Sequence, residues 1–308
     1  MSHRVRGDGR AVRAGATGPA WPGWRPWLVA LLALCGAWVS ITGSARAQAG
    51  PARGQLVEHR SLPMSFQPIA GTHVRIEVMS GRVVARLPGG RTQTLVEAID
   101  AAERRDIPWV LRGDFNFDEA EDLAVLDATG YGGVNAFHTL FIWNSASGQF
   151  DALAEPLVNP RLVPERKAVQ TSQRDGPRWS GNEYRSLAGR LYVAVNIDDN
   201  VLDGVDLLTF RDPAGKVLRR LLAEVEQREA APERRSPAVV PIRTARAWLH
   251  DRPDPAARTG MYVIKDDRVT LLVHATRPGE PLGTGWFKAR FKGKRTIEAW
   301  VEGDALVP

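Results

Sequence analysis

The chain contains 308 residues, with 41 basic and 35 acidic side chains, 44% hydrophobic residues and a single cysteine. A chain of this length can bury a sizeable hydrophobic core. One cysteine excludes an internal disulfide framework and a zinc site built from several thiolates, so the fold must be stabilised by packing.

Residues 1–47 have the features of a cleavable secretory signal peptide. Basic side chains precede an apolar run, and Ala45 and Ala47 fit the small-residue cleavage pattern. The run is about 15 residues long, shorter than the roughly 20 that span a membrane. We therefore predict a periplasmic protein that begins near Gln48 and has no stable membrane span once the leader is cleaved. Lipidation of Cys35 and an uncleaved anchor are the weaker alternatives.

Cleavage of this leader changes the charge balance. Residues 1–47 hold six basic residues and one acidic residue, so 35 basic and 34 acidic side chains remain. A net charge of +1 gives no support for a basic stripe along the mature chain. We therefore expect no nucleic-acid partner.

Residues 48–229 are predicted to form a β-rich domain. Short segments of alternating or continuous apolar residues are separated by Gly, Pro and Asn. Residues 95–102 form either a short helix or, over the overlapping residues 92–98, a strand. The clearest predicted strands are residues 73–78, 82–87, 123–126, 139–143, 191–197 and 205–210.

An acidic loop is the most informative short segment of this domain. Asp114, Asn116, Asp118 and Asp122 place side-chain oxygens at loop positions 1, 3, 5 and 9. Alternate residues of a tight loop can direct such oxygens at one hard cation, and Ca²⁺ takes six to eight of them. The sixth position, usually glycine because the loop turns sharply there, is Glu119. The sequence predicts a Ca²⁺ site, and the alternative is an acidic β-turn whose aspartates cap backbone amides.

The sequence contains no recognisable catalytic arrangement. The five histidines beyond the leader lack metal-ligand spacing, and neither Gly-x-Ser-x-Gly nor His-Glu-x-x-His occurs. Carboxylates as close in sequence as Asp114 and Asp118 suit a cation better than two sides of a sugar ring. A second acidic cluster, residues 198–206, is predicted to be a hairpin turn because apolar Val201 stands where a ligand would be needed. We expect a protein that acts by binding and is not an enzyme.

Several short motifs of this domain occur together in one family of bacterial envelope proteins. They lie at residues 92–95, 113–118, 121–125, 130–133, 183–185 and 191–192. With these motifs, residues 70–215 resemble the calcium-binding periplasmic immunity proteins associated with bacteria-killing type IV secretion systems. The acidic loop also resembles the calcium loops at strand edges of integrin-type propeller repeats. The resemblance implies a propeller-like antiparallel β domain that binds Ca²⁺ and inhibits a lysozyme-like toxin.

A polar segment, residues 172–184, has side chains suited to contact with a glycosidase. Arg174 and Arg178 could pair with the two carboxylates that such enzymes use. Trp179 or Tyr184 could occupy a sugar-stacking position as an anchor. The alternative is a solvated hairpin whose aromatic rings cover the edge of the core.

The C-terminal part is predicted to be a separate small module. Residues 218–229 could form a short helix, and residues 230–241, rich in proline and charge, indicate a linker. Residues 242–308 resemble a bacterial SH3-like barrel, with a glycine-tryptophan strand and a closing tryptophan strand. The strands predicted there are residues 247–249, 262–265, 269–273, 286–291 and 296–301.

Strand alternation in this module predicts a cationic strip made of Trp286, Lys288 and Arg290. Such a strip could meet an anionic glycan or a cell-wall peptide, and an ordinary solvated face is the alternative. Our leading hypothesis is an exported inhibitor or immunity protein directed against a peptidoglycan hydrolase. The second hypothesis is a cell-wall-binding envelope scaffold without inhibitory activity, and the third is an unrecognised hydrolase.

Overall fold

The computed structural model describes residues 55–104, 106–276 and 284–307. Their strands form four antiparallel sheets, which confirms the prediction of a mostly β protein. The predicted leader, including Cys35, lies outside the described residues. Of the helices in the described part of the chain, none is long and apolar enough to cross a membrane.

The first ten strands build two sheets. They are β1 (Val57–His59), β2 (Met64–Phe66), β3 (Val74–Met79), β4 (Arg82–Arg86), β5 (Thr92–Glu97), β6 (Val110–Gly113), β7 (Asp122–Gly130), β8 (Asn135–Asn144), β9 (Gln149–Ala152) and β10 (Leu157–Val158). One sheet is the meander β2-β3-β4-β5. The other has the order β1-β6-β7-β8-β10, with β9 also paired to β8. Val74 and Ile76 alternate with exposed residues on β3, so period-two patterning buries one face of the meander.

The next seven strands form the largest sheet. They are β11 (Arg161–Val163), β12 (Ala168–Gln170), β13 (Gln173–Asp175), β14 (Arg178–Leu187), β15 (Arg190–Leu202), β16 (Val205–Arg211) and β17 (Val217–Glu224). Their order is β11-β12-β14-β15-β16-β17, with β13 paired to β14. The two long strands β14 and β15 form the centre of this sheet.

The last six strands form a C-terminal sheet. They are β18 (Val239–Pro241), β19 (Arg246–His250), β20 (Arg258–Ile264), β21 (Arg268–Ala275), β22 (Trp286–Lys292) and β23 (Thr296–Glu302). The order is β18-β21-β22-β23-β19-β20. Within the described ranges the end strands β18 and β20 do not pair, so strand pairing does not close this sheet into a barrel.

Of the two predicted helices, one is wrong, and at the other the structure has the strand that was the alternative prediction. Residues 92–97 form strand β5, and only α1 (Ala101–Arg104) is α-helical in that region. Residues 217–224, predicted in part as a helix, form β17, which ends in a 3-10 turn at Val225–Gln227. Leu221, Leu222 and Ala223 are all buried, and a short apolar run of this kind cannot be told from a buried helix by periodicity.

The large sheet and the C-terminal sheet share a hydrophobic cluster. Leu202 and Leu222 of the large sheet pack in the same buried cluster as Ile242, Leu271 and Phe287. Strand β18 lies inside residues 230–241, the segment predicted as a linker. The division into domains at this segment stays a prediction, whereas the shared packing on both sides of it is a feature of the fold.

Candidate functional site

The acidic loop connects β6 and β7, two neighbouring antiparallel strands. Gly113 at the end of β6 lies opposite Asp122 at the start of β7. The loop is therefore a strand-to-strand connection, as its apolar flanks indicate. Strand pairing on both sides fixes its two ends.

Side-chain oxygens hold this loop in a tight turn. Asp114 accepts the backbone N–H of Asp118 at its Oδ1 and that of Glu119 at its Oδ2, each at 3.0 Å. Asp118 Oδ1 accepts the backbone N–H of Ala120 at 2.9 Å. Phe117 and Glu119 have φ angles of 60° and 78°. Glu119 therefore takes the left-handed conformation that glycine usually supplies, and the sharp turn forms without glycine.

Asn116 links the loop to the large sheet. Its side chain is 2% exposed, and its Nδ2 donates to Asp118 Oδ2 at 2.8 Å and to the carbonyl of Gly189 at 3.1 Å. Gly189 lies in the turn between β14 and β15. The conformation of the loop is thus coupled to a turn 73 residues further along the chain.

Asp122 is fully buried and acts on the backbone. One carboxylate oxygen accepts the N–H of Phe115 and the other accepts the N–H of Trp143, each at 2.9 Å. Burial raises the pKa of Asp122 to about 8, while these two donors oppose the shift. Burial also raises the pKa of Asp114, against the N–H groups of Glu119 and Asp118.

The loop fits a hard cation only with mixed ligands. In the part of the chain that the structure describes, no three His, Cys, Asp or Glu side chains are grouped so that they could hold a metal ion. Asp114 and Asp118 supply carboxylates, and Asn116 supplies an amide oxygen. Backbone carbonyls and water, which Ca²⁺ accepts, would have to complete the coordination. Asp122 is fully buried and its two oxygens accept backbone N–H groups, so this residue anchors the loop. Asp114 and Asp118 also accept backbone N–H groups, but neither is fully buried.

Three of the four partner-contact residues predicted within residues 172–184 lie on one hairpin. Arg174 on β13 is opposite Trp179 on β14, and Arg178 is opposite Asp175. The buried Asn135 holds the hairpin, because its side chain accepts the N–H of Arg174 at 2.8 Å and donates to the carbonyl of Arg174 at 2.9 Å. Trp179 is 38% exposed, so it is available to a partner.

Tyr184 is separated from this hairpin group. It is partly buried and packs against the cluster that contains Leu140 and Val169. It lines a cavity of about 1040 Å³, whereas Trp179 lines another of about 440 Å³. The two aromatic residues therefore cannot serve as alternative anchors for one ligand at one position.

The two cations of the predicted strip share one carboxylate, so half of their charge is offset. Trp286 is 8% exposed, and its ring meets that of His250 edge-on at a centroid distance of 4.6 Å. Arg290 and Lys288 contact the carboxylate of Glu298 on β23 at 2.7 and 3.5 Å. Trp286 is thus not presented at the surface beside the two cations.

Comparison with known proteins assigns no family. No protein-family model matches the sequence, and no curated protein matches it. A solved structure of a Xanthomonas protein related to a type IV secretion system is similar over 53% of this chain and 97% of that chain. The TM-score is 0.37 and the sequence identity is 12%. Similarity at this level establishes neither the fold family nor the function of this chain.

The larger cavity contains polar residues that the sequence analysis did not assign to a site. Asn182 on β14, Asn196 and Asp198 on β15, and Arg220 on β17 all line it. Asn196 and Asp198 are two positions apart, which places both on one face of β15. This period-two spacing of polar residues was the available signal, but the sequence alone does not indicate that the face borders a cavity.

Proposed function

We propose that this chain is an exported, non-catalytic, calcium-binding protein that inhibits a peptidoglycan hydrolase. The observation that carries the proposal is the acidic loop, where Asp114, Asn116 and Asp118 surround a turn that Glu119 completes with a φ of 78°. Under this proposal the N-terminal and central sheets form a propeller-like domain. The C-terminal sheet is an SH3-like module, and residues 1–47 are the signal peptide of a periplasmic protein.

Calcium has a structural role in this proposal. Binding to Asp114 and Asp118 would offset the repulsion between two carboxylates that a four-residue separation brings together. Because Asn116 also bonds to Gly189, a bound ion would stabilise both the β6–β7 connection and the β14–β15 turn. Any ion that binds the folded chain and not the unfolded chain raises stability by mass action.

The proposed inhibitory surface is the β13–β14 hairpin. Arg174 lies opposite Trp179 and shares its face of the hairpin, whereas Arg178 is opposite Asp175 and lies on the other face. The exposed ring of Trp179 beside Arg174 combines two residue types that are enriched in interface hot spots. Glycosidases present two carboxylates in a sugar-binding cleft. Arginine pairs well with carboxylates, and an aromatic ring can take the place of a stacked sugar.

Calorimetry tests the cation site. Titration of Ca²⁺ into the mature chain, residues 48–308, should give binding heat that Asp118→Ala abolishes. Asp203→Ala removes an exposed carboxylate from a different turn and should leave the heat unchanged. Equal heats for the wild-type protein and Asp118→Ala would reduce the loop to an acidic turn.

A cell-wall lysis assay tests inhibition. The mature chain should slow the clearing of peptidoglycan suspensions by lysozyme-like hydrolases taken from secretion-system effectors. Trp179→Ala should weaken inhibition at least about tenfold, the equivalent of about 1.4 kcal/mol. Tyr262→Ala, which removes an exposed ring 47% accessible on β20, is the matched control. Sedimentation with peptidoglycan but no inhibition would instead support a cell-wall-binding scaffold.

A further inference from the structure

The cavity of about 1040 Å³ lies on the face of the large sheet that carries Tyr184. Residues of β14 to β17 form its floor, and residues 273–276 at the end of β21 form part of its wall. Asn182, Asn196, Thr209 and Arg220 lie opposite one another in a single row across these four strands. A row of polar side chains thus crosses the floor of the cavity.

Much of this floor is already hydrogen-bonded. Asn196 Nδ2 donates to Asn182 Oδ1 at 2.7 Å, and Asn182 Nδ2 donates to the hydroxyl of Tyr184 at 3.4 Å. Arg211 Nε donates to Asn196 Oδ1 at 2.5 Å, and its Nη1 donates to the carbonyl of Gly215. These side chains are therefore held in place and form a rigid polar surface.

Three charged side chains that line this cavity, those of Glu155, Asp198 and Arg220, have no hydrogen bond or ion pair with the described residues. Asp198 is partly buried, its carboxylate makes no hydrogen bond or ion pair with the described residues, and burial raises its pKa. Arg220 and Glu155 are both exposed, so Asp198 is the one partly buried group of the three. A partly buried carboxylate without a donor is unfavourable, and such groups in folded proteins call for an explanation.

We propose that this cavity binds a short zwitterionic peptide, whose ammonium group pairs with Asp198 and whose carboxylate pairs with Arg220. Asp198, the partly buried one of the two unpaired acids, and the unpaired Arg220 together favour a ligand that carries both charges. A simple anion would be repelled by Asp198, and a neutral sugar would leave both charges without counterions. The site differs from the acidic loop and from the β13–β14 hairpin, so it does not depend on the proposed inhibition.

The separation of the two charges sets the length of the peptide. Arg220 and Asn196 belong to the same row and are two strands apart, on β17 and β15. Asp198 is two residues further along β15 than Asn196. With about 4.8 Å between strands and about 3.4 Å per residue, the two Cα atoms are roughly 12 Å apart. The side chains reach inward from both ends, so a di- or tripeptide at about 3.4 Å per residue fits the gap. The floor amides face the peptide backbone.

Three peptides test the two ends of the proposed site separately. We would titrate tri-alanine, N-acetyl-tri-alanine and tri-alanine amide into the mature chain and measure affinity by calorimetry. Tri-alanine should bind, and each end-capped peptide should bind about tenfold more weakly because one ion pair is lost. Equal binding of capped and free peptides, or no binding at millimolar concentration, would overturn the proposal.

Two variants locate the binding to these residues. In Asp198→Asn, affinity for tri-alanine should fall to that of the N-acetylated peptide, and acetylation should then have no further effect. Arg220→Gln should likewise abolish the effect of amidation. Arg219→Gln is the control, because Arg219 is on the same strand with its guanidinium over the ring of Phe210 on the other face. Thermal unfolding would verify that each variant folds.

The same titration distinguishes a glycan site. If N-acetylglucosamine oligomers bind and displace tri-alanine, and Asp198→Asn leaves that binding unchanged, the cavity takes sugars and the peptide proposal is wrong. Because no hydrolase is present in these titrations, a failure here leaves the proposed inhibition standing. Loss of inhibition in the lysis assay would equally leave the peptide site standing.

Discussion

The carboxylate of Asp122 accepts the backbone N–H of Trp143 at 2.9 Å, so the end of the acidic loop is fixed to the end of the adjacent strand β8. Its second oxygen accepts the N–H of Phe115, also at 2.9 Å. Asp122 therefore supplies the hydrogen-bond acceptors for two backbone N–H groups in a buried region. Its contribution to folding is separable from cation binding.

Replacement of Asp122 by Ala should lower the free energy of unfolding by about 3 kcal/mol, because two buried N–H groups lose their acceptor. Asp122→Asn keeps one acceptor oxygen and should cost less. Urea denaturation in the presence of EDTA measures this loss without any contribution from calcium. Asp127→Ala, at an exposed position of the same strand, is the control. A loss below about 1 kcal/mol for Asp122→Ala would contradict the assigned role.

Glu119 should be a site of stabilising substitution. Its φ of 78° is unfavourable for a residue with a Cβ atom, and glycine adopts it freely. We expect Glu119→Gly to be about 1 kcal/mol more stable than Glu119→Ala. The alanine variant removes the same side chain but keeps the strained backbone, so thermal unfolding of the pair isolates the backbone effect. Equal stabilities would mean that the turn has relaxed.

His138 should make the protein sensitive to acid. Burial lowers its pKa to about 4, although its hydrogen bond to the carbonyl of Ala136 opposes the shift. The unfolded chain takes up this proton near pH 6.5, and the folded chain does so only near pH 4. Stability is therefore lost as the pH falls through this window, by up to about 3 kcal/mol.

The measurement is the free energy of unfolding between pH 7 and pH 4.5. His138→Asn should reduce the loss of stability over this range, because asparagine retains a donor for Ala136 but does not titrate. The same replacement at the exposed His73 should leave the pH dependence as it is in the wild-type protein. An unchanged slope for His138→Asn would show that other groups cause the acid sensitivity.

Asp206 should hold residues 225–237 against the large sheet. Arg228 donates to both of its oxygens, at 2.8 and 2.6 Å, and the buried Arg235 lies 3.5 Å away. Asp206→Asn removes the carboxylate that faces the buried Arg235 and leaves Arg228 only its ion pair with Asp199 at 3.2 Å. The substitution should cost about 3 kcal/mol. Trypsin should then cleave Asp206→Asn within residues 225–237 at a higher rate than the wild-type protein. The control variant Asp203→Asn, in the same hairpin, should be cleaved at the wild-type rate.

Strand patterns were predictable where one face of a strand is exposed. On β3 and β22 the alternation of apolar and polar residues follows burial, so the sequence locates these strands within a residue or two. The pattern failed at β17. Toward its C-terminal end this strand is buried on both faces, so its apolar residues are consecutive and do not alternate with polar ones. Trp286 was placed with the exposed residues of β22, but the ring of His250 covers it.

The acidic loop could be located from sequence because its ligand-type residues are neighbours in the chain. Local spacing placed Asp114, Asn116 and Asp118 on one turn, and strand patterns placed that turn between two strands. Spacing could not indicate that both oxygens of Asp122 would bond to backbone N–H groups. One of those donors is Trp143, which is 21 residues away, and only the pairing of β7 with β8 brings it into reach.

The sequence by itself determined a mostly β chain, a single cysteine confined to the first 47 residues, and an acidic turn with cation-type spacing. These are properties of composition and of residues close together in the chain. Only the tertiary structure decided that Asp198 faces a cavity without a partner while Asp206 has two arginines. Both acids were assigned to the same turn by sequence. Their environments differ because strand pairing directs Asp198 to one face of the large sheet and Asp206 to the other.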